Sequence, residues 1–356
     1  MIILDSHCDT PLQLARGRNI SIEEPFAGVD IPKLRRGGVS ASFFAAYTNP
    51  SLSETEAFAW ADKLIDLTQA QIKAHPEDLA AATSAGDIRK NWDNNLISIL
   101  ISLENGSPIG KDIRKLHHFH ERGARIITLC HNGDNAICDS AAGNATHGGL
   151  SEFGREVVSE MNSLGIIVDM AHASDKTFYD CIEASRKPIV STHSSCRALA
   201  GHRRNMTDDM IRVMAERGGV IQINFYPFFI DDSFNDVYEA SGLEASEYLE
   251  SEFAADPGNE EKRSRWMEVL GKMFALPSPS YTVVADHIMH AVNVGGIEAV
   301  GIGTDFDGIN MAPAGLEDIS KLGVLFDELS RRGLTDDQVA KIAGENFLRV
   351  MDDNGC

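Results

Sequence analysis

The chain has 356 residues and a mass of 38.8 kDa, with 43% hydrophobic and 24% charged residues. This composition is typical of a globular protein and excludes disorder, collagen or a coiled coil as the main architecture. The 53 acidic and 32 basic residues give a net charge of -21, which disfavours binding to nucleic acid or to an anionic membrane surface.

The beginning of the sequence does not have the pattern of a signal peptide. Met1-Ile2-Ile3-Leu4 is apolar but stops at Asp5, without a basic start or a cleavage pattern. No stretch approaches the roughly 20 apolar residues that span a bilayer. The six cysteines lack CxxC spacing, and we expect free thiols. These features together predict a cytoplasmic protein.

Apolar runs rich in Ile and Val recur along the chain, and such runs are typical of buried parallel strands. Helical patterns separate these runs, so the sequence predicts an α/β fold, a distorted (β/α)8 barrel of the TIM type. We expect residues 1–356 to form one domain. The predicted strands are Ile2–Leu4, Val39–Tyr47, Leu96–Leu103, Arg125–Cys130, Ile166–Met170, Pro188–Thr192, Val220–Phe225 and Ala299–Thr304.

Capping residues mark the predicted helices, because Ser and Thr favour helix starts and Gly favours helix ends. The clearest predictions run from Ser53 to about Lys73, from Ser151 to Leu164, from Thr207 to near Gly218, and from Thr335 onwards.

Two predicted connections, 48–95 and 227–280, are longer than a minimal barrel needs. The second is a predicted insertion between the seventh and eighth strands. From Asp231 to Glu261 it has eleven acidic residues and no Lys or Arg. It is either a solvated helical excursion or a lid, because loops that follow barrel strands face the active site.

Polar residues with metal-binding or catalytic potential follow six of the predicted strands, at their carboxyl ends. In a barrel these ends meet at one mouth, where imidazoles and carboxylates together suit a divalent transition metal such as zinc. The stretches are Asp5–Asp9, Glu104–Gly106, Cys130–Asn132, Asp169–His172, Ser191–Ser194 and Thr304–Gly308.

The spacing of His7 and Asp9 is i, i+2, which places both side chains on the same side of a strand. Cys8 would then point into the wall, so we do not expect a thiolate ligand. Glu104 ends a strongly apolar strand and needs a partner for its charge, and its two oxygens can bridge two ions. His172 and His193 would supply the second metal, and two ions about 3.5–4 Å apart can share a hydroxide.

Asp305 is a candidate proton-transfer group, and the alternative is a residue of the Asp-Phe-Asp-Gly turn. His131 is either a hydrogen-bond donor to the oxygen that becomes negative or a satisfied core histidine. Three arginines follow the sixth strand, Arg197, Arg203 and Arg204, and each is either solvated or able to hold a substrate carboxylate.

These residues, in this order, resemble the membrane dipeptidase family, peptidase family M19, of the amidohydrolase superfamily. The resemblance runs over nearly the whole chain, from Asp5-Ser6-His7-Cys8-Asp9 to Glu345–Val350. Its most specific stretches are Ile167–Ser174, Ser191–Ser195, Arg203–Asn205 and Gly303–Gly308.

The resemblance implies a dipeptidase with two Zn²⁺ ions per subunit. It implies one role for each matching residue: His7 and Asp9 on the first zinc, His172 and His193 on the second, Glu104 bridging both, His131 beside the scissile carbonyl, Arg204 on the substrate carboxylate and Asp305 as the catalytic aspartate.

The expected activity is hydrolysis of L,L- and also L,D-dipeptides by a metal-bridging hydroxide. The resemblance also implies a homodimer, because relatives form one. One alternative is the same metal centre acting on another small amide, a lactam or an N-acyl amino acid. A second alternative is a metal-binding homologue without catalysis.

Overall fold

The computed structural model describes residues 1–246 and 248–356, so Glu247 of the predicted insertion lies outside the described residues. The strands of this part of the chain are β1 (Leu4–Cys8), β2 (Ala41–Tyr47), β3 (Leu79–Ala81), β4 (Ile97–Glu104), β5 (Ala124–Thr128), β6 (Ile167–Asp169), β7 (Val190–Ser194), β8 (Val220–Ile223) and β9 (Val300–Ile302).

Eight of these strands form a nearly closed parallel barrel in the order β1-β2-β4-β5-β6-β7-β8-β9. The residues just after β9 close the ring, because Phe306 bridges Cys8 and the Asp305 N–H donates to the His7 carbonyl at 3.1 Å. Register shifts interrupt the β1–β2, β4–β5 and β7–β8 pairs. The predicted distorted (β/α)8 barrel is therefore confirmed.

Helices cover the outside of the barrel and connect its strands. Those of the described residues are α1 (Thr10–Ala15), α2 (Ile31–Arg36), α3 (Glu54–Ala74), α4 (Ala85–Asp93), α5 (Ile113–Glu121), α6 (Glu152–Leu164), α7 (Asp175–Ala184), α8 (Asp208–Glu216), α9 (Pro227–Ile230), α10 (Phe234–Ser241), α11 (Tyr248–Ala255), α12 (Glu260–Phe274), α13 (Tyr281–Gly295), α14 (Leu322–Arg331), α15 (Asp336–Ala340) and α16 (Asn346–Asn354). No described helix is both long and apolar enough to cross a membrane.

The predicted helix starts agree with the caps in the structure. The hydroxyl of Ser53 accepts from the backbone N–H of Glu56, whose carboxylate returns to the Ser53 N–H, and this reciprocal pair begins α3. Thr207 caps α8 and Thr335 caps α15 in the same position. Gly165 ends α6 in the left-handed region, with a φ of 75°.

The predicted first strand, Ile2–Leu4, is wrong in its extent, because β1 begins at Leu4 and continues to Cys8. The side chains of Asp5 and Ser6 in β1 are buried with hydrogen-bond partners, so these residues continue the strand instead of ending it. The Asp5 carboxylate accepts from the N–H and the hydroxyl of Thr304, at 2.8 and 2.9 Å. The Ser6 hydroxyl donates to the Thr192 carbonyl at 2.7 Å.

The connection 48–95 contains α3, α4 and the short strand β3, which pairs with β4 outside the barrel order and was not predicted. All six cysteines are free, as predicted, and the structure shows that all six are also buried.

The insertion between β8 and β9 contains α9 to α12 and has a hydrophobic cluster of its own. Side chains of α10, α11 and α12 form this cluster with Met311, which follows β9. The helices of the insertion therefore pack against one another and against the segment that follows β9. Its role as a lid stays a prediction.

Candidate metal centre

The structure brings the five predicted metal ligands together at the carboxyl ends of the barrel strands. His7 lies in β1 with Asp9 directly after it, Glu104 ends β4, His172 follows β6, and His193 lies in β7. All five side chains are buried. We call these residues the metal-ligand cluster.

Glu104 lies at the centre of the metal-ligand cluster, and its two oxygens face different neighbours. Oε1 lies 3.2 Å from His172 Nε2 and 3.7 Å from His193 Nε2. Oε2 lies 3.6 Å from His7 Nε2. A carboxylate in this position can share its oxygens between two cations.

On one side of Glu104 the neighbours are mainly carboxylates. His7 Nε2 lies 3.4 Å from Asp9 Oδ2 and 3.9 Å from Asp305 Oδ1. Burial raises the pKa of Asp9 to about 6, and the nearby charge of Glu104 adds to this effect. Burial lowers the pKa of His7, but the nearby negative charges of Glu104 and Asp9 outweigh burial and raise it well above the usual value.

On the other side of Glu104 the neighbours are imidazoles, and the Nε2 atoms of His172 and His193 are only 3.0 Å apart. The Thr192 hydroxyl donates a hydrogen bond to Asp169 Oδ2 at 2.7 Å, so its oxygen accepts a hydrogen bond from His193 Nδ1–H at 2.9 Å. The amide oxygen of Asn132 accepts from His172 Nδ1 at 3.1 Å. Each ring therefore carries its proton on Nδ1 and directs an Nε2 lone pair at the other.

Two lone pairs 3.0 Å apart repel each other, and a cation between the rings would remove this repulsion. His7 Nε2 and Asp9 Oδ1 are buried without a hydrogen-bond partner. Three groups of residues share members, and within each group the ligand atoms lie within 4.8 Å of one another: His7–Glu104–His193, Glu104–His131–His172 and His7–Asp9–Asp305. The residues present therefore fit divalent metal ions.

His131 also lies at this site, with its Nε2 3.7 Å from Glu104 Oε1. Its ring packs on His172 with centroids 4.0 Å apart and against Tyr47 at 4.8 Å. Burial, and next the charge of Arg204, lower the pKa of His131 to about 3, so the ring is neutral. Geometry alone allows His131 to be either a third imidazole ligand or a hydrogen-bond donor to substrate.

Asp305 follows β9 and lies on the carboxylate side of the site. Asn224 donates its side-chain amide to Asp305 Oδ2 at 2.9 Å, which leaves Oδ1 directed at His7. Burial raises the pKa of Asp305 to about 6. The backbone of Asp305 has a φ of 62° and that of His172 a φ of 69°. Such conformations cost about 1–3 kcal/mol each and persist where the surrounding structure requires them.

Arg204 is buried beside the imidazole side of the site. Its Nη2 donates to the His193 carbonyl at 3.4 Å, and its guanidinium lies over the Phe229 ring at 5.4 Å. Its Nε is buried without a hydrogen-bond partner, and no described carboxylate lies within 4.0 Å of it. Arg197, in contrast, is paired with Asp175 at 2.7 Å.

Cys8 lies away from the metal-ligand cluster. Its Sγ contacts the Ser42 hydroxyl at 3.4 Å and the Phe43 carbonyl at 3.5 Å. Burial raises the pKa of this thiol well above its usual value. Cys8 is therefore a neutral wall residue.

Four residues that support the site were not predicted to do so: Asp169, Thr192, Asn224 and Phe229. Asp169 and Thr192 fall within strand ends that the sequence marks, but a carboxylate that orients a histidine through a threonine hydroxyl has no local pattern of its own. Asn224 lies just after β8, and this position at a strand end is the feature of the sequence that could have identified it as a site residue. Phe229 belongs to α9, where the sequence shows only an aromatic run.

The comparisons with known proteins agree with this geometry. A family model described as membrane dipeptidase, peptidase family M19, matches residues 1–354. An uncharacterised dipeptidase of Schizosaccharomyces pombe is 32% identical, over 98% of this chain and 80% of its own length.

Two solved structures have the same fold. The probable dipeptidase PvdM from Pseudomonas aeruginosa has a TM-score of 0.85 at 26% identity, and the match covers 99% of this chain and 95% of that chain. A metallopeptidase from Rhodobacter sphaeroides, liganded with a phosphinate mimic of the dipeptide L-Ala-D-Ala, has a TM-score of 0.82 at 22% identity and 99% coverage of both chains.

Proposed function

Because the chain belongs to the membrane dipeptidase family, peptidase family M19, we propose that this metallo-dipeptidase hydrolyses L,L- and L,D-dipeptides with two Zn²⁺ ions. The observation that carries the proposal is the position of Glu104. One of its oxygens faces His7 and the other faces His172 and His193. A single carboxylate thus lies between the proposed ligands of the first ion and those of the second.

His7 and Asp9 would hold the first ion, His172 and His193 the second, and Glu104 both. Nitrogen and carboxylate donors of this kind suit zinc. When bound, a pair of divalent ions supplies an activated water and polarises the carbonyl under attack. The chain has to orient the ligands, bind the two ends of the dipeptide and move one proton.

Asp305 is the group proposed to move the proton. Its Oδ2 is held by Asn224, while its Oδ1 faces the carboxylate side of the metal-ligand cluster. A carboxylate with a pKa of about 6 accepts a proton from the nucleophile near neutral pH and returns it to the leaving amine.

Arg204 is the group proposed to bind the free carboxylate of the dipeptide. A buried guanidinium without a carboxylate partner among the described residues favours an anionic ligand. His131, neutral and close to Glu104, would then donate a hydrogen bond to the carbonyl oxygen as it becomes negative.

Tolerance of a D-residue at the carboxyl-terminal position has support from a fold neighbour. The Rhodobacter sphaeroides metallopeptidase binds a mimic of L-Ala-D-Ala. The homodimer and the cytoplasmic location stay predictions.

Amine release from a panel of L,L- and L,D-dipeptides tests the proposed function. We expect zinc-loaded protein to cleave several members, and metal-stripped protein to cleave none until zinc is returned. Metal content is measured on the same samples. No cleavage by protein that holds two ions per chain would contradict the proposal and would favour another small amide as substrate.

A further inference from the structure

A cavity of about 460 Å³ lies between the insertion and the barrel mouth. Its walls come from α1 and the following loop, from α11 and α12, and from residues 307–310 after β9. Pockets that bind small molecules have volumes of about 300–1,000 Å³, so this cavity has the size of a ligand site.

The cavity adjoins the metal centre through Gly308, which lies in its wall. A Cβ atom on Gly308 would lie 2.1 Å from Asp9 Oδ2 and 2.8 Å from Asp305 Oδ1, so only a glycine fits between these carboxylates and the cavity. Tyr226, another wall residue, comes two positions after Asn224, which holds Asp305. The cavity therefore lies directly against the carboxylates of Asp9 and Asp305 in the metal centre.

Tyr47, which packs on His131, is close enough to both sites to be influenced by charged groups of each. The charges that act on the Tyr47 hydroxyl include those of Glu104 in the metal centre and of Glu250 and Arg16 in the cavity wall. Charged groups of the cavity wall and of the metal centre therefore lie close enough together to act on the same hydroxyl.

The charged groups of the cavity wall neutralise one another. Each of its three arginines is paired with an acid of the same wall: Arg16 with Glu250 at 3.1 Å, Arg18 with Asp307 at 2.9 Å, and Arg263 with Glu24 at 3.3 Å. A wall with three positive and three negative charges offers no net charge to a charged side chain. Such a side chain would lose its hydration without gaining a partner.

Large apolar side chains complete the wall, among them Phe253, Trp266, Leu270 and Phe274 of the insertion. Phe26 faces them from the barrel side and packs on Phe274 with ring centroids 5.3 Å apart. The Phe26 side chain is still 42% exposed, and its backbone has a φ of 60°, which is unusual for a bulky residue. An aromatic ring held there, half exposed, offers a contact surface to a ligand.

We infer that this cavity binds the side chain of the amino-terminal residue of the dipeptide and selects large uncharged side chains. The inference rests on the proposed function, in which Arg204, after β7, holds the carboxyl-terminal end. The cavity adjoins the carboxylate side of the metal centre, next to the segments that follow β1 and β9, whereas Arg204 adjoins its imidazole side. The insertion would then set the substrate preference of this chain.

The first test compares kcat/KM of the zinc-loaded enzyme for L-Phe-L-Ala, L-Leu-L-Ala, Gly-L-Ala, L-Glu-L-Ala and L-Lys-L-Ala. We expect Phe and Leu to exceed Gly by at least about tenfold, because each buried methylene contributes to discrimination in an apolar pocket. We also expect Glu and Lys to fall below Phe and Leu. Equal values for all five, or a preference for a charged residue, would overturn the inference while leaving the proposed function intact.

The second test fills the cavity with Leu270→Trp and trims its wall with Phe26→Ala. The readout is the ratio of kcat/KM for L-Phe-L-Ala to that for Gly-L-Ala. We expect this ratio to fall at least about fivefold in both variants. Trp92→Ala is the matched control, because Trp92 is 45% exposed on α4 and does not line the cavity.

Phe26→Ala removes an exposed ring, so it keeps the test decisive if Leu270→Trp fails to fold. A ratio that stays the same in the folded variants, or that falls equally in Trp92→Ala, would overturn the inference. No cleavage of any dipeptide by the metal-loaded wild-type enzyme would overturn the proposed function and the inference together.

Discussion

The two sides of Glu104 have opposite chemistry although they lie in one buried site. On the carboxylate side, burial raises the pKa of both Asp9 and Asp305 to about 6. On the imidazole side, burial and the charge of Arg204 lower the pKa of His172 and His193 well below the usual value. The first side can accept a proton near neutral pH, whereas the second consists of neutral rings beside a fixed cation.

This difference suggests a division of work between the two sides. Changes on the carboxylate side should act on kcat, because proton transfer belongs to the chemical step. Changes around Arg204 should act on KM for substrates with a free carboxylate. Glu104 belongs to both sides, and its loss should affect both.

The largest effect is expected for Glu104→Gln. The amide keeps the shape of the side chain, but it loses the negative charge and offers only one acceptor oxygen to both sets of ligands. We expect kcat/KM to fall about 10⁴-fold or more and the metal content to drop below two ions per chain. Steady-state kinetics and elemental analysis measure the two effects.

Glu121→Gln is the matched control for this variant, because Glu121 is an exposed residue at the end of α5. If Glu104→Gln kept two ions and normal turnover, this result would contradict both the bridging role of Glu104 and its link between the two sides.

Asp305→Asn tests the carboxylate side alone. The amide cannot accept a proton, and we expect kcat to fall about 10²- to 10⁴-fold while both metal ions stay bound. KM should change little, since Arg204 is untouched. Asp318→Asn, at the cap of a surface turn beyond β9, is a control for the loss of one negative charge. Near-normal kcat in Asp305→Asn would show that another group moves the proton.

The strand ends of the barrel were predictable because a polar residue that follows an apolar run is a local pattern. Glu104 and His193 were located in this way. The same pattern failed for β1, where hydropathy placed the strand end at Leu4. The hydrogen-bond partner of the buried Asp5 carboxylate is Thr304, about three hundred positions away. No local sequence pattern predicts such a contact.

The choice among the three arginines shows the same limit. The sequence alone left Arg197, Arg203 and Arg204 equivalent, and the family resemblance singled out Arg204. In the structure Arg197 is neutralised by Asp175, Arg203 is exposed, and Arg204 is buried. Burial and pairing depend on tertiary contacts, as does the cavity that the insertion forms with α1.

Arg204→Lys tests the imidazole side with the charge retained. Lysine loses the planar fork that binds a carboxylate through two hydrogen bonds. We expect kcat/KM for dipeptides to fall roughly 10- to 100-fold, mainly through KM. Dipeptide amides, which lack the carboxylate, should lose much less. Arg203→Lys is the adjacent exposed control, and an equal loss for dipeptides and amides would contradict the carboxylate-binding role.

Phe229→Leu should give the smallest effect, and it asks whether α9 of the insertion positions Arg204. The Phe229 ring lies under the guanidinium at 5.4 Å and stacks on His202 at 4.5 Å, so leucine removes the aromatic face but keeps the apolar volume. We expect KM for dipeptides to rise about 2- to 10-fold with kcat little changed, as the loss of one cation–π contact implies.

Phe228→Leu is the neighbouring control, since Phe228 packs on Phe234 and Tyr238 inside the insertion. If the role of Phe229 is merely structural, both variants should have lower thermal stability, and KM should change equally for dipeptides and for their amides. A rise in KM that is confined to Phe229→Leu and to substrates with a free carboxylate would instead show that the insertion acts on the imidazole side through Arg204, and leaves proton transfer at Asp305 untouched.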